Sequence, residues 1–155
     1  MTLAKITQIL DSLYKATADS YLEQAVIGLS SALDATFVFV ADVDLERHEA
    51  STLALCERGK IIPNLQYSLR QTPCENVVGG DLCIHTSQVS RDFPEDQLLV
   101  EMGIEAYIGV PLCGRDAEVL GILVALYTRP ISNAEPEIAL FRLFSNMIAI
   151  ELERR

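Results

Sequence analysis

The stretch Glu105–Thr128, EAYIGVPLCGRDAEVLGILVALYT, constrains this chain more than any other. Two apolar runs, Tyr107–Leu112 and Val119–Tyr127, flank the polar turn Gly114-Arg115-Asp116, the pattern of two antiparallel strands closed by a hairpin. The second run is apolar throughout if Gly121 is counted, which marks a strand buried on both faces. Such a hairpin needs one layer above it and another below.

The flanking segments supply both layers. Leu3, Ile6, Leu10 and Leu13 fall along one side of a helix expected over residues 1–16. This short heptad-like seam suits either a helix lying on its own domain or a dimer contact. Ser20-Tyr21-Leu22-Glu23 has the form of a capping box opening a second helix, with Leu22, Val26, Leu29 and Leu33 facing inward. Thr36–Val43 is rich in aromatic and β-branched residues and predicts a strand. The acidic segment Asp42–Glu49 predicts a solvated turn, Ser51–Cys56 a strand pairing back, and Ile61–Leu69 a third strand that Pro63 confines to an edge.

Thr72-Pro73-Cys74-Glu75 combines an N-cap residue, a proline suited to the first helical position and a capping-box glutamate. Gly79-Gly80 ends that helix, Leu82–Thr86 forms a short strand, and Asp92-Phe93-Pro94 opens another helix running to Gly103. Ser132-Asn133 with Glu135 starts the last helix. Its residues Ile138, Phe141, Ser145, Ile148 and Leu152 mark one side, and Leu140, Phe144 and Met147 a second. A helix apolar on two sides has two partners: the sheet, and the first helix or a second subunit. The elements sum to an α+β fold. Its mainly antiparallel sheet has five or six strands, with long terminal helices on one face and short helices and loops on the other.

With 155 residues, half of them hydrophobic, the chain is expected to form a single domain over 1–155. Twelve basic against 22 acidic residues give a net charge of −10, which opposes phosphate backbones and anionic membrane surfaces. Neither nucleic acid nor membrane is an expected partner. No apolar run approaches the ~20 residues of a membrane span and no signal-type core opens the chain, so a cytoplasmic location is expected. Cys56, Cys74, Cys83 and Cys113 contain no Cys-x-x-Cys spacing and are expected to be reduced.

The order Phe93-Pro94, Glu95-Asp96, Gly103, then AYIGVPL and VLGILVAL, resembles the GAF domain, a small sensory module of bacterial signalling proteins. Thr72-Pro73-Cys74 and the closing Glu151-Leu152-Glu153-Arg154 resemble the same family, so the likeness runs in order from about Leu13 to Arg155. It implies the fold just described and a non-enzymatic sensory or regulatory role, in two-component or cyclic-dinucleotide signalling. It also implies a small-molecule ligand held between the sheet and the short helices, by Cys74, Val78, Phe93, Leu98, Tyr107 and Gly109. Which ligand or cofactor this is, the resemblance does not say. A homodimer signalling through its terminal helices to an output domain in a longer parent protein is the expected assembly.

Alternation places Tyr107, Gly109 and Pro111 on one side of their strand and Ile108, Val110 and Leu112 on the other. The Tyr107 side is expected to face the cavity, where a tyrosine gives an apolar wall with a polar tip. A tyrosine simply packed beneath the short helices would look the same in sequence. Cys74, the second residue of its helix, lies where the dipole favours a thiolate, so a thiol-based redox sensor or reductase is an alternative, with Cys83 as resolving thiol. A small buried, inert cysteine is the competing assignment, and a ligand-free dimerisation module is the other alternative function. Cys83 and His85 share one side of a strand, near enough to Cys74 to raise zinc or iron; the four-ligand spacing of a structural metal site is absent, and no metal is expected. The Asn-Lys pair of cyclic-nucleotide-binding members, the Cys-His pair of bilin-attaching members and the glycine-rich cysteine setting of the sulfoxide-reducing member are all missing.

Overall fold

A computed structural model describes residues 3–155; the first two residues of the helix expected over 1–16 lie outside the described residues. The elements in chain order are α1 (Leu3–Lys15), α2 (Tyr21–Leu33), β1 (Phe37–Asp44), β2 (Glu49–Glu57), β3 (Lys60–Ile62), β4 (Gln66–Ser68), α3 (Pro73–Val78), β5 (Cys83–His85), α4 (Val89–Asp92), α5 (Gln97–Met102), β6 (Ala106–Cys113), β7 (Val119–Tyr127) and α6 (Glu135–Glu153). Among the described residues seven strands form one sheet in the order β3-β2-β1-β7-β6-β5, with β4 also on β2, and every pairing is antiparallel. The seventh strand arises because Ile61–Leu69 does not run as one piece. Pro63 lacks an N–H, and the chain leaves the sheet there while Thr52 Oγ1 donates to Asn64 Oδ1 and accepts from the Leu65 N–H. The strand resumes as β4 farther along the same edge of β2.

The central hairpin pairs Ala106–Leu112 with Gly121–Tyr127, and its partner on the other side of β7 is β1. Both faces of β7 are covered, as its unbroken apolar run demands. Leu123, Ala125 and Tyr127 join Val38, Val40, Ile108, Val110 and Leu112 in a core roofed by α2 and α6. Ile122, Val124 and Leu126 join Phe37, Phe39, Ala41 and Tyr107 in a second core beneath α3, α4 and α5. Gly121 is required: a Cβ there would collide with the Ala41 carbonyl oxygen of the neighbouring strand.

On the helical face the four inward positions of α2 are buried as their spacing indicates. In α6, Leu140, Phe141, Phe144 and Ile148 are buried, so both apolar sides meet the core. The seam of α1 packs on its own domain at Leu13 and, partly buried, at Ile6 and Leu10, while Ile9 is buried beside them and Leu3 is 78% exposed. Gly28 lets Ile9 close against α2 beside that seam: a Cβ there would lie 3.0 Å from the Ile9 side chain. The Ser20 hydroxyl does not cap α2. It accepts from the Thr17 N–H in the preceding turn, which stabilises the linker instead.

The expected Asp92–Gly103 helix is shorter: α4 ends at Asp92, where that helix is expected to begin, and α5 covers only Gln97–Met102. Pro94 disfavours helical geometry at Phe93, which sits at φ −126°, ψ 66°, and the chain restarts one turn later as α5 behind the N-cap Asp96. No helix of the described residues is long and apolar enough to cross a membrane.

Candidate functional site

Thr72, Pro73 and the Gly79-Gly80 pair delimit α3 as their chemistry requires, and Gly80 takes the positive φ that ends it. The Thr72 hydroxyl, however, donates to the Leu69 carbonyl, at 2.7 Å, and leaves the helix amides alone. This fixes the turn from β4 into α3 and places Cys74 against the sheet. Tyr107 reaches it from β6, its hydroxyl donating to Cys74 Sγ at 2.9 Å; Tyr67 reaches it from β4, donating at 3.3 Å. The Tyr67 ring is held edge-on to Phe39, with centroids 6.1 Å apart.

These groups border a cavity between the sheet and α5. Its walls are Phe37 and Phe39 of β1, Leu55 of β2, Leu126 of β7, the two tyrosines and Cys74, and Asp96, Leu98, Leu99 and Met102 around α5. The open space is about 40 Å³. Roughly 10–15 Å³ admits one water, and benzene is known to occupy an engineered cavity of about 150 Å³, so the resting chamber is too small for a ring. A larger occupant requires a wall to move; α3 and α5 are both six residues long, and α3 is tied to two strands through Cys74, which leaves α5.

Three of the six residues expected at the site meet in this chamber: Cys74, Leu98 and Tyr107. Phe93 does not line it, because it packs edge-on against His85 with ring centroids 5.3 Å apart. Val78, at the end of α3, packs on the lower core at its margin. Gly109 is covered by its own neighbours: a Cβ would lie 2.7 Å from Tyr107 Oη and 2.8 Å from Val77 Cγ2. Its role is to let Tyr107 lie flat along β6 toward Cys74. Gly109→Ala is therefore expected to lower stability by about 1–3 kcal/mol and to dislodge the Tyr107 hydroxyl. A denaturant midpoint that falls at constant slope is the check.

The electrostatics reverse one expectation. Burial pushes the Cys74 thiol up to about 11, although both tyrosine hydroxyls donate to it. Desolvation outweighs both tyrosine hydrogen bonds, so burial favours the neutral thiol where the helix start was expected to favour a thiolate. Burial also raises Tyr107 and Tyr67 well above the usual phenol range, and each is raised further by Cys74. Asp96 is raised by desolvation, with the Leu99 and Leu98 N–H groups pulling the other way. Among the described residues no group of three or more His, Cys, Asp or Glu side chains is placed to hold a metal. Cys83 and His85 lie beside Gly109 and Tyr107 in the β5–β6 ladder.

Tyr67 and Asp96 escape inspection of the sequence. Asp96 precedes Gln-Leu-Leu with its carboxylate accepting from the Leu99 N–H, at 3.3 Å, so a helix start set at Asp96 instead of Asp92 would have brought it forward.

The family model for the GAF domain matches residues 12–152. No curated protein matches the chain in sequence. Among solved structures, the GAF domain of a phosphoenolpyruvate-protein phosphotransferase from Coxiella burnetii superposes with a TM-score of 0.79 at 21% identity, over 98% of this chain and 92% of that one. The corresponding domain from Acinetobacter gives 0.74 at 13% identity, over 99% and 96%. The phycoerythrobilin-bound GAF domain of a cyanobacterial phytochrome gives 0.71 at 13% identity, over 98% and 96%. At these identities the structures establish the fold, whereas the family match rests on the sequence. GAF domains are in general sensory or regulatory modules and not catalysts. With the order of its motifs, both faces of its sheet and nearly its full length in agreement, this chain belongs to the GAF domain family.

Proposed function

We propose that residues 1–155 form a single sensory module, that the chamber beside Cys74 and Tyr107 admits a small molecule, and that two copies signal to an output partner through α1 and α6. The observation that carries this is the position of β6. One alternate set of its residues bears Tyr107 against the chamber; the other bears Ile108, Val110 and Leu112 into the core under α6. A single strand thus separates ligand and output helix. The phycoerythrobilin-bound relative supports a ligand role for this fold.

The β6–β7 hairpin adds a second link. Its Arg115 N–H donates to Glu153 Oε2 at 2.9 Å, tying the turn to the last residues of α6. A ligand that favours one arrangement of β6 biases the helix only by its differential affinity for the two states. Outward-facing apolar residues on α6, Leu143 and Ile150, and on α1, Leu3 and Tyr14, are the surface offered for dimerisation.

Native mass spectrometry of the gently purified protein tests both halves. Two copies retaining a small molecule are the expected result. A monomer removes the dimer, and a protein that arrives empty and binds no small apolar molecule removes the ligand. Ile150→Asp is expected to convert dimer to monomer with little change in domain stability, because Ile150 is 61% exposed within one copy. Leu10 would be a poorer site for this test, since it packs on the α1–α2 core.

A further inference from the structure

The polar groups of the chamber are committed in one direction. Tyr67 and Tyr107 each spend their single hydroxyl proton on Cys74 Sγ. The Thr52 hydroxyl donates to Asn64 Oδ1 at 2.9 Å and accepts from the Leu65 N–H at the same distance. Only the Cys74 S–H, a weak donor, is uncommitted. Acceptors remain. The Asp96 carboxylate accepts from the Leu99 N–H through Oδ1 and is also stabilised by the Leu98 N–H, and it retains further lone pairs, since a carboxylate offers about four sites. Both phenol oxygens also retain their acceptor lone pairs. Among the described residues no arginine, lysine or histidine lines the space, and its other walls are Phe37, Phe39, Leu55, Leu65, Leu126 and the α5 side chains.

An anion brought here would meet a carboxylate and no countercharge, with its solvation lost. An apolar body carrying an N–H or O–H would meet apolar walls and an unfilled acceptor. We infer that the chamber accepts a small ring-sized molecule with an apolar body, at least one N–H or O–H donor directed at Asp96, and no negative charge. This rests on the ligand role proposed above and adds the chemical class. Entry displaces α5, a six-residue helix that ends at Gly103 in the left-handed region and presents the flexible Met102 to the cavity.

Calorimetric titration of the purified protein with phenol, toluene and benzoate tests the inference, with Asp96→Asn as the variant. Asparagine caps a helix as well as aspartate, so α5 is retained, which circular dichroism verifies. The expected result is phenol bound about tenfold or more tighter than toluene, benzoate unbound, and the phenol preference reduced to less than about threefold in Asp96→Asn with toluene affinity kept. Equal binding of phenol and toluene by the unaltered protein, a preference that survives Asp96→Asn, or binding of benzoate overturns the chemical class and leaves the chamber standing. If neither phenol nor toluene binds, the chamber itself is overturned, and the class with it.

Discussion

Tyr107→Ala is expected to destabilise the protein by about 3–5 kcal/mol, the range for truncating a fully buried aromatic. Tyr107 is 1% exposed and joins β6, α3 and the chamber, so no side chain stands ready to collapse into the space it leaves. Against a total stability of about 5–15 kcal/mol, that loss removes a large share of the folded population's margin. Tyr107→Phe keeps the ring and loses only the hydroxyl bond to Cys74, which still accepts from Tyr67. Its expected cost is about 1 kcal/mol. Urea denaturation of the two variants separates packing from hydrogen bonding. If the chamber admits small apolar molecules, toluene should partly restore the midpoint of Tyr107→Ala, because a ligand bound only by the folded state stabilises it. Similar costs for Phe and Ala would mean that the hydroxyl, and not the ring, holds the layers together.

Alkaline pH should unfold this protein from the lower core outward. The Cys74 thiol, ordinarily near 9.0, is pushed up to about 11 by burial, so the fold favours the neutral form. Below about pH 9 the thiol is neutral folded or unfolded and its full contribution is present. Between about pH 9 and 11 only the unfolded chain ionises, and stability is lost. Two pK units correspond to about 2.7 kcal/mol at about 1.36 kcal/mol per unit. Tyr67 and Tyr107, raised above the phenol range, add to the loss in the same direction. Denaturant midpoints measured from pH 7 to pH 11 should fall steeply above pH 9. Cys74→Ser, which still accepts from both tyrosines and does not titrate there, should flatten the curve. A flat profile for the unaltered protein would show that the thiol is not buried neutral.

The sheet and its two covers were readable because Val119–Tyr127 has no polar position on either alternate set, and a strand of that kind has one environment available. The helix of Leu22, Val26, Leu29 and Leu33 was readable for the same kind of reason. Sequence patterns gave out where a local signal had two physical outlets. Thr72 and Ser20 stand where helices begin, yet their hydroxyls bond to the preceding turns. The burial of Ile9, outside the expected seam of α1, depends on Gly28, a residue of another helix, which periodicity within α1 does not register.

The chamber was half readable. Tyr107 and Cys74 came from the resemblance, with the alternation of β6 choosing the side of the strand, but the opposite walls come from β1, where Phe37–Ala41 are all buried. When both alternate sets are apolar, sequence does not tell which set faces which cover, so Phe37 and Phe39 went unassigned.

The division of β3 from β4 around Pro63 bears on how the protein stays apart from other chains. One margin of the sheet is broken into two pieces of three residues each, and the opposite margin, β5, is also three residues long. An unpaired strand edge is a template on which a second chain can add, and the hazard grows with its length. Here β3, β4 and β5 are each too short to recruit a full strand, which limits the sideways growth of a sheet whose middle is almost wholly apolar.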